Sequence, residues 1–167
     1  SATVRIATLA LALVAAFLTP NSMAFADDAA SAPSLRAALE RAGENRSELE
    51  KALSGVEGEA RQGMEFLVRN MPDADLRSLS AKFLIENVRL AYEVRARVPW
   101  GRTIPADLFL NDVLPYANVD ETREPWRKKL VDLCLPIVAE CKTAGEAAHT
   151  LNRKLFGEIK VRYSTKR

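Results

Sequence analysis

The sequence predicts a mainly α-helical fold. Three segments, 57–70, 80–97 and 122–141, repeat apolar residues at the three- and four-residue spacing of one helix face. An alternation of period two is confined to residues 159–164, near the C-terminal end, and predicts one short strand. The chain has 167 residues, of which 48% are hydrophobic and 28% charged, so it is long enough for one domain with a sizeable core.

The first 26 residues are predicted to be a secretory signal peptide. Arg5 supplies the positive charge of such a segment, and an apolar run of 13 residues follows from Ile6 to Leu18. An Ala-Phe-Ala sequence ending at Ala26 has the small residues that signal peptidase requires. Because a membrane-spanning helix needs about 20 residues, we expect cleavage, export to the periplasm or beyond, and no stable span afterwards. An uncleaved tether is the alternative.

Residues 27–34 are small and polar and predict a flexible leader, after which the helical patterns begin. The first predicted helix starts at Leu35 and ends near Gly43. Ser47 and Glu50 have the spacing of a capping box, in which each side chain satisfies a backbone donor near the other residue. The helix predicted over 57–70 is stopped by the Met-Pro-Asp sequence that follows it.

The longest regular pattern covers residues 80–97 and is closed by a Pro-Trp-Gly sequence. Beyond it, two prolines bound a stretch that we interpret as a short helix at 106–112. An irregular loop bearing an aromatic residue is predicted at 114–119.

The strongest period is that of residues 122–141. Pro125 suits the first turn of this helix, where its missing N–H is not needed, whereas Pro136 lies inside the pattern and predicts a kink. Thr143 and Glu146 form a second capping-box pattern, which predicts the start of the last helix.

A thiol–imidazole pair would have to come from Cys134, Cys141 and the single histidine, His149. The two cysteines are seven residues apart on one predicted helix, roughly 10 Å along its axis, whereas a disulfide needs Cα atoms within about 7 Å. We therefore expect two unpaired, buried cysteines, and a partly exposed His149. No metal-ligand spacing and no cofactor motif is recognisable. The net charge of +2 gives no electrostatic reason to expect nucleic acid as a partner.

Two sequence segments resemble those of a known family. They are FLNDVLPYANVDETREPWRKKL, residues 109–130, and CKTAGEAAHTLNRKLFGEIKVRYSTKR, residues 141–167. Together they resemble bacterial secreted proteins with a transglutaminase-like domain, and the resemblance extends over residues 57–167. In that family an "LPYAN…E…WR" stretch lies in a helical N-terminal region, and a helix leads from it into a papain-like α+β core.

The resemblance implies a helical N-terminal region at 35–141 and the first helix and strand of a transglutaminase-like core at 142–167. It implies a thiol enzyme with a Cys-His-Asp triad, acting on a protein or peptide substrate by acyl transfer or amide hydrolysis. The family's nucleophile lies beyond the segment that matches 163–167, so no catalytic residue is carried over to this chain. On this interpretation the chain is an inactive fragment that is truncated before its catalytic cysteine.

Four residues of the resembling stretch are candidates for one wall of the substrate cleft: Tyr116, Asn118, Trp126 and Arg127. Packing in the core is the alternative role for the two aromatic residues. For the whole chain, the alternative to an enzyme part is a free-standing exported helical module that binds a partner and catalyses nothing.

Overall fold

The computed structural model describes residues 34–118 and 120–158 and shows a mainly helical protein. The helical part of the fold prediction is thereby confirmed. The predicted signal peptide, the leader up to residue 33 and the predicted strand at 159–164 lie outside the described residues.

The first two helices are α1 (Leu35–Arg41) and α2 (Arg46–Ser54), joined through a 3-10 turn at 43–45. The side chain of Ser34 caps α1 by accepting a hydrogen bond from the Ala37 amide at 3.1 Å. The capping box predicted at Ser47 is wrong, because the residue that precedes α2 is Asn45, two positions earlier. Contacts of Asn45 with a distant part of the chain determine where α2 begins. The Asn45 side-chain amide donates to the carbonyl groups of Leu76 and Leu79, both at 2.9 Å.

The next three helices are α3 (Gly58–Asn70), α4 (Asp73–Leu76) and α5 (Ala81–Arg97), and the helices predicted over 57–70 and 80–97 are confirmed. Two side chains satisfy the first amides of α5. Ser80 accepts from the Phe83 amide at 3.3 Å, and Glu48 of α2 accepts from the Ala81 amide at 2.9 Å. The second of these bonds ties α2 to the start of α5.

The short helix predicted at 106–112 is confirmed, but its hydrogen-bond pattern changes from α-helical to π-helical along its length. It consists of α6 (Ala106–Leu108), which passes directly into a π-helical turn at Phe109–Val113. The amide of Leu114 donates to the Phe109 carbonyl at 2.9 Å, five residues back. The Phe109 ring is fully buried, and the ring of Tyr92 meets it edge-on with 4.9 Å between centroids.

The last two helices are α7 (Trp126–Val138) and α8 (Ala144–Glu158). The helix predicted over 122–141 is therefore shorter at both ends, and Pro136 lies inside it as expected. The capping box at Thr143 is confirmed in a modified form. Thr143 accepts from the Glu146 amide at 3.2 Å, and the Glu146 carboxylate accepts from the Lys142 amide at 2.7 Å, one residue before the cap.

Two clusters of buried apolar side chains hold the helices together. The larger cluster takes residues from α1 to α5, the π-helical turn and the following loop, with Phe109, Leu49, Met64, Leu76, Leu84 and Leu114 among its fully buried members. The smaller cluster joins Val138 of α7 to Ala147 of α8 through Cys141. Trp100, just beyond α5, packs against the smaller cluster and connects it to the rest of the bundle.

Candidate functional site

The structure brings three of the four predicted wall residues together. Tyr116, Trp126 and Arg127 lie where the loop after the π-helical turn meets the start of α7, whereas Asn118 lies apart from them on the surface. The contacts of the three residues are with the bundle and with each other.

Asp75 of the short helix α4 is the first anchor of this loop. It is only 5% exposed, and the Tyr116 hydroxyl donates a hydrogen bond to its Oδ2 at 2.8 Å. Arg123 binds the same carboxylate in bidentate fashion, with Nε 3.0 Å from Oδ1 and Nη2 3.0 Å from Oδ2. Arg123 also donates through Nη1 to the carbonyl of Glu121. One buried carboxylate therefore holds two positions of the loop.

Burial shifts the ionisation of the groups around Asp75. The pKa of Tyr116 is raised far above its usual value, chiefly because the phenol is desolvated and also because it donates to an adjacent carboxylate. The hydrogen bond to Asp75 raises the pKa of Arg123. Tyr116 thus stays a neutral donor and Arg123 stays a cation at physiological pH.

Asn87 of α5 is the second anchor, and Arg127 is its partner. Arg127 Nε donates to Asn87 Oδ1 at 2.7 Å, and the Asn87 amide donates to the Leu114 carbonyl at 2.9 Å. Arg127 Nη2 lies 2.8, 3.1 and 2.9 Å from the carbonyl oxygens of Val113, Leu114 and Pro115. This guanidinium therefore satisfies the backbone acceptors left open as the π-helical turn unwinds.

No carboxylate among the described residues forms an ion pair with Arg127. Its partners are neutral oxygens, and its guanidinium carbon lies 4.7 Å from the centre of the Trp126 ring. Burial without a counter-ion lowers the pKa of Arg127 to about 10. At neutral pH Arg127 still carries its charge.

Trp126 connects the two anchors, because its indole N–H donates to the Tyr116 carbonyl. We refer to the whole arrangement as the loop clasp. Its members come from α4, α5, the loop and α7: Asp75, Asn87, Tyr116, Arg123, Trp126 and Arg127.

Asn118, the fourth predicted residue, has a local role. It is exposed, its backbone amide donates to Glu121 Oε2 at 3.0 Å, and its side-chain amide donates to Glu121 Oε1 at 3.4 Å. These contacts stabilise the turn at the surface end of the loop.

Three members of the loop clasp were missed in the sequence: Asp75, Asn87 and Arg123. The sequence pattern could have indicated Asn87, because it occupies a position on the apolar face of α5 between the buried residues Leu84 and Ala91. A polar residue on an apolar face needs a hydrogen-bond partner. Asp75 and Arg123 lie in short or irregular segments, where no periodicity marks a buried position.

The loop clasp does not surround a ligand-sized space. A cavity beside Arg127, lined in part by Phe83 and Pro125, has a volume of about 10 Å³, which is close to the minimum for one water molecule. The described residues also contain no cluster of three or more histidine, cysteine or acidic side chains suited to a metal ion. The clasp neutralises the buried Asp75 carboxylate with Arg123 and supplies hydrogen-bond donors to buried backbone carbonyl groups through Arg127.

The cysteines and the histidine are not brought together as a catalytic pair. Cys141 is buried, and its Sγ lies 3.6 Å from the Thr150 hydroxyl. Cys134 is half-buried, which corrects the expectation that both would be buried, and its burial raises the pKa of the thiol. Both cysteines are free, as predicted, and His149 is exposed.

No family model, curated protein or solved structure matches the chain in comparisons with known proteins. The transglutaminase-like assignment therefore stays a prediction from the sequence. Within the described residues, no helix combines the length and the apolar character needed to cross a membrane.

Proposed function

We propose that this chain is the helical N-terminal part of an exported transglutaminase-like thiol enzyme, and that it supports a catalytic core encoded beyond it. The enzyme would act on a protein or peptide by acyl transfer or amide hydrolysis. In this proposal α8 and residues 159–167 lead into the core, and α1 to α7 form a rigid support.

The observation that carries the proposal is the loop clasp. Its loop and α7 residues lie within the stretch that resembles the family, and most of their polar groups are used to bind that stretch to α4 and α5. A segment fixed by so many internal contacts suits a support that must hold a neighbouring domain in one position. The direct contact of Tyr116 with substrate is the less favoured role, because Tyr116 is only 5% exposed.

The composition of α7 also supports a neighbouring domain. Four of its apolar residues are only partly buried and belong to neither buried cluster of the described residues: Leu130, Val131, Leu133 and Leu135. Apolar side chains grouped on one helix are more often covered by protein than left in water. In the proposal the catalytic core covers them.

The test is the reading frame after Arg167, followed by assay of the complete gene product. We expect a downstream cysteine, histidine and aspartate, together with thiol-dependent amine incorporation or amide hydrolysis that iodoacetamide abolishes. A stop codon directly after Arg167 would contradict the proposal. Intact-mass measurement of the exported protein tests secretion, because cleavage after Ala26 would make Asp27 the first residue.

Trp126→Ala in the complete protein separates support from substrate contact. A lowered melting temperature with unchanged activity is expected for a supporting role. A loss of activity at an unchanged melting temperature would assign Trp126 to the cleft wall.

The alternative is a free-standing exported helical module that binds a partner. The described residues favour it in one respect, because α1 to α5 and the π-helical turn bury a core of their own around Phe109 and Leu49. A natural stop after Arg167 and cooperative unfolding of the isolated chain would together decide for this alternative.

A further inference from the structure

A second polar region, which shares no residue with the loop clasp, surrounds a cavity between α3 and the C-terminal half of α5. The cavity has a volume of about 120 Å³, smaller than the roughly 300–1,000 Å³ of pockets for drug-sized ligands. Its lining contains one acidic, two basic and one phenolic side chain: Glu59, Tyr92, Arg95 and Arg102, together with Ala96.

Arg95 is held in a defined position beside the cavity. Its Nε donates to the Gly101 carbonyl at 3.2 Å and its Nη2 to the Ile104 carbonyl at 3.0 Å. Its guanidinium carbon lies 4.3 Å from the centre of the Phe109 ring. All these partners are neutral, so they orient the cation without neutralising it, and Nη1 has no acceptor among the described residues.

Arg95 is held in part by the backbone that follows α5. A Cβ atom at Gly101 would lie 2.0 Å from the Arg95 carbonyl oxygen, so only glycine allows the chain to turn back so closely onto the helix end. This close approach places the Gly101 carbonyl within reach of the Arg95 side chain. Arg102, on the next residue, reaches the cavity from the same turn.

The other polar groups of the cavity also have no partner within the described part of the chain. Glu59 and Arg102 form no ion pair there, and the half-buried Tyr92 makes no hydrogen bond. Glu59 and Arg102 are both exposed. Other charges on the same two helices do pair, Arg61 with Glu65 at 2.9 Å and Arg97 with Glu93 at 3.0 Å. Opposite charges therefore face one cavity without neutralising each other.

We propose that this cavity binds a small zwitterion, an α-amino acid with a short side chain. The ligand carboxylate would accept hydrogen bonds from Arg95, Arg102 and the Tyr92 hydroxyl, and its ammonium group would donate to Glu59. Two guanidinium groups favour a carboxylate, and Glu59 disfavours a simple anion that brings no positive charge. The inference is independent of the proposed enzymatic function.

The first test is a titration of the full chain with glycine and with L-alanine, followed by amide chemical shifts or calorimetry. We expect saturable binding with a Kd on the order of 1 mM, with shifts confined to residues around the cavity. Acetate and methylammonium, each carrying half of the zwitterion, should bind at least tenfold more weakly, since each loses hydrogen bonds to charged groups.

Three variants test the roles of the lining residues. Arg102→Gln and Tyr92→Phe should each weaken binding of glycine, the first on the order of tenfold, and Tyr92→Phe keeps the ring that packs on Phe109. Glu59→Gln should remove the preference for glycine over acetate. Arg97→Gln, an exposed change on the same helix outside the cavity, is the matched control and should bind as the parent chain does.

Absence of saturable binding by a folded parent chain would overturn the inference. Equal affinity for acetate and glycine would also overturn it, because the cavity would then be a simple anion site. Circular dichroism and melting curves of each variant establish that the binding measurements refer to folded protein.

Discussion

The hydroxyl of Tyr116 donates a hydrogen bond to the carboxylate of Asp75 at 2.8 Å, across 41 positions of sequence. Both residues are 5% exposed. The edge of the Phe83 ring packs near Tyr116 with 5.7 Å between centroids, so the hydrogen bond is shielded by apolar contacts as well. This pair attaches an otherwise irregular loop to the first half of the bundle.

Tyr116→Phe is expected to lower the free energy of unfolding by about 1–2 kcal/mol, because Asp75 loses one buried donor and keeps only Arg123. Urea and thermal unfolding measure the loss. Tyr92→Phe is the matched control, since no described residue accepts a hydrogen bond from its hydroxyl, and it should change stability by less than about 0.5 kcal/mol. Equal losses in the two variants would contradict the assigned role of the Tyr116 hydroxyl.

Arg127→Met is expected to cost about 2–4 kcal/mol of stability, because the side-chain oxygen of Asn87 and the carbonyl groups of Val113 and Pro115 lose the guanidinium as donor. The Leu114 carbonyl also loses it and keeps the Asn87 amide. Lys129→Met, two residues along α7 and exposed, is the control and should be nearly neutral. Urea unfolding of both variants makes the comparison. If both variants unfolded at the same urea concentration, the contacts of Arg127 with Asn87 and the loop carbonyl groups would not contribute to stability.

Glu48→Gln is expected to lower the free energy of unfolding at neutral pH. It should also make the free energy of unfolding less dependent on pH in the acidic range. Hydrogen bonds from Lys51 and from the Ala81 amide lower the pKa of Glu48 below its ordinary value of 4.5. A folded-state pKa below the unfolded one means that the contribution is present above about pH 4.5 and disappears as the pH falls through the folded-state value.

Acid titration of the unfolding free energy tests this dependence. The difference between the parent chain and Glu48→Gln should shrink steadily below about pH 4.5. Glu140→Gln, an exposed change, is the control and should follow the parent curve. A constant difference down to low pH would show that the loss comes from side-chain packing and not from the ionised carboxylate.

Alkylation tests the state of the two cysteines. Iodoacetamide at mildly alkaline pH should modify the native chain slowly, because Cys141 is buried and the raised pKa of the half-buried Cys134 lowers its thiolate fraction. Two adducts per chain should appear quickly in denaturant. Intact mass after air oxidation should show no loss of two hydrogens, and such a loss would contradict the free thiols of the structure.

The sequence was a reliable guide wherever local chemistry decides the outcome. The helices α3 and α5 begin and end within one residue of their predicted bounds, because apolar periodicity, the Ser80 cap and Pro72 act within a single turn. The capping box at Thr143 is also local. At Ser47 the same kind of pattern failed, because Asn45 is bound to carbonyl groups more than 30 positions away.

The candidate site was predicted in part for the same reason. Tyr116, Trp126 and Arg127 could be picked out because they stand close together in one phrase. The pairing of Tyr116 with Asp75 and of Arg127 with Asn87 could not be predicted, since 41 and 40 positions separate the partners and no spacing rule relates such residues. The π-helical turn could not be predicted either, because the sequence of Phe109–Val113 does not distinguish it from an ordinary helical turn.

By itself, the sequence determined the helical class of this protein, the main helices and the irregular loop that follows the short helix, since these depend on neighbouring residues alone. The tertiary structure decided which polar groups meet. Tyr116, Trp126 and Arg127, the candidates for a cleft wall, bind α4, α5 and one another in the structure. A buried guanidinium or phenol needs hydrogen-bond acceptors, and the packing of distant helices decides where these acceptors lie.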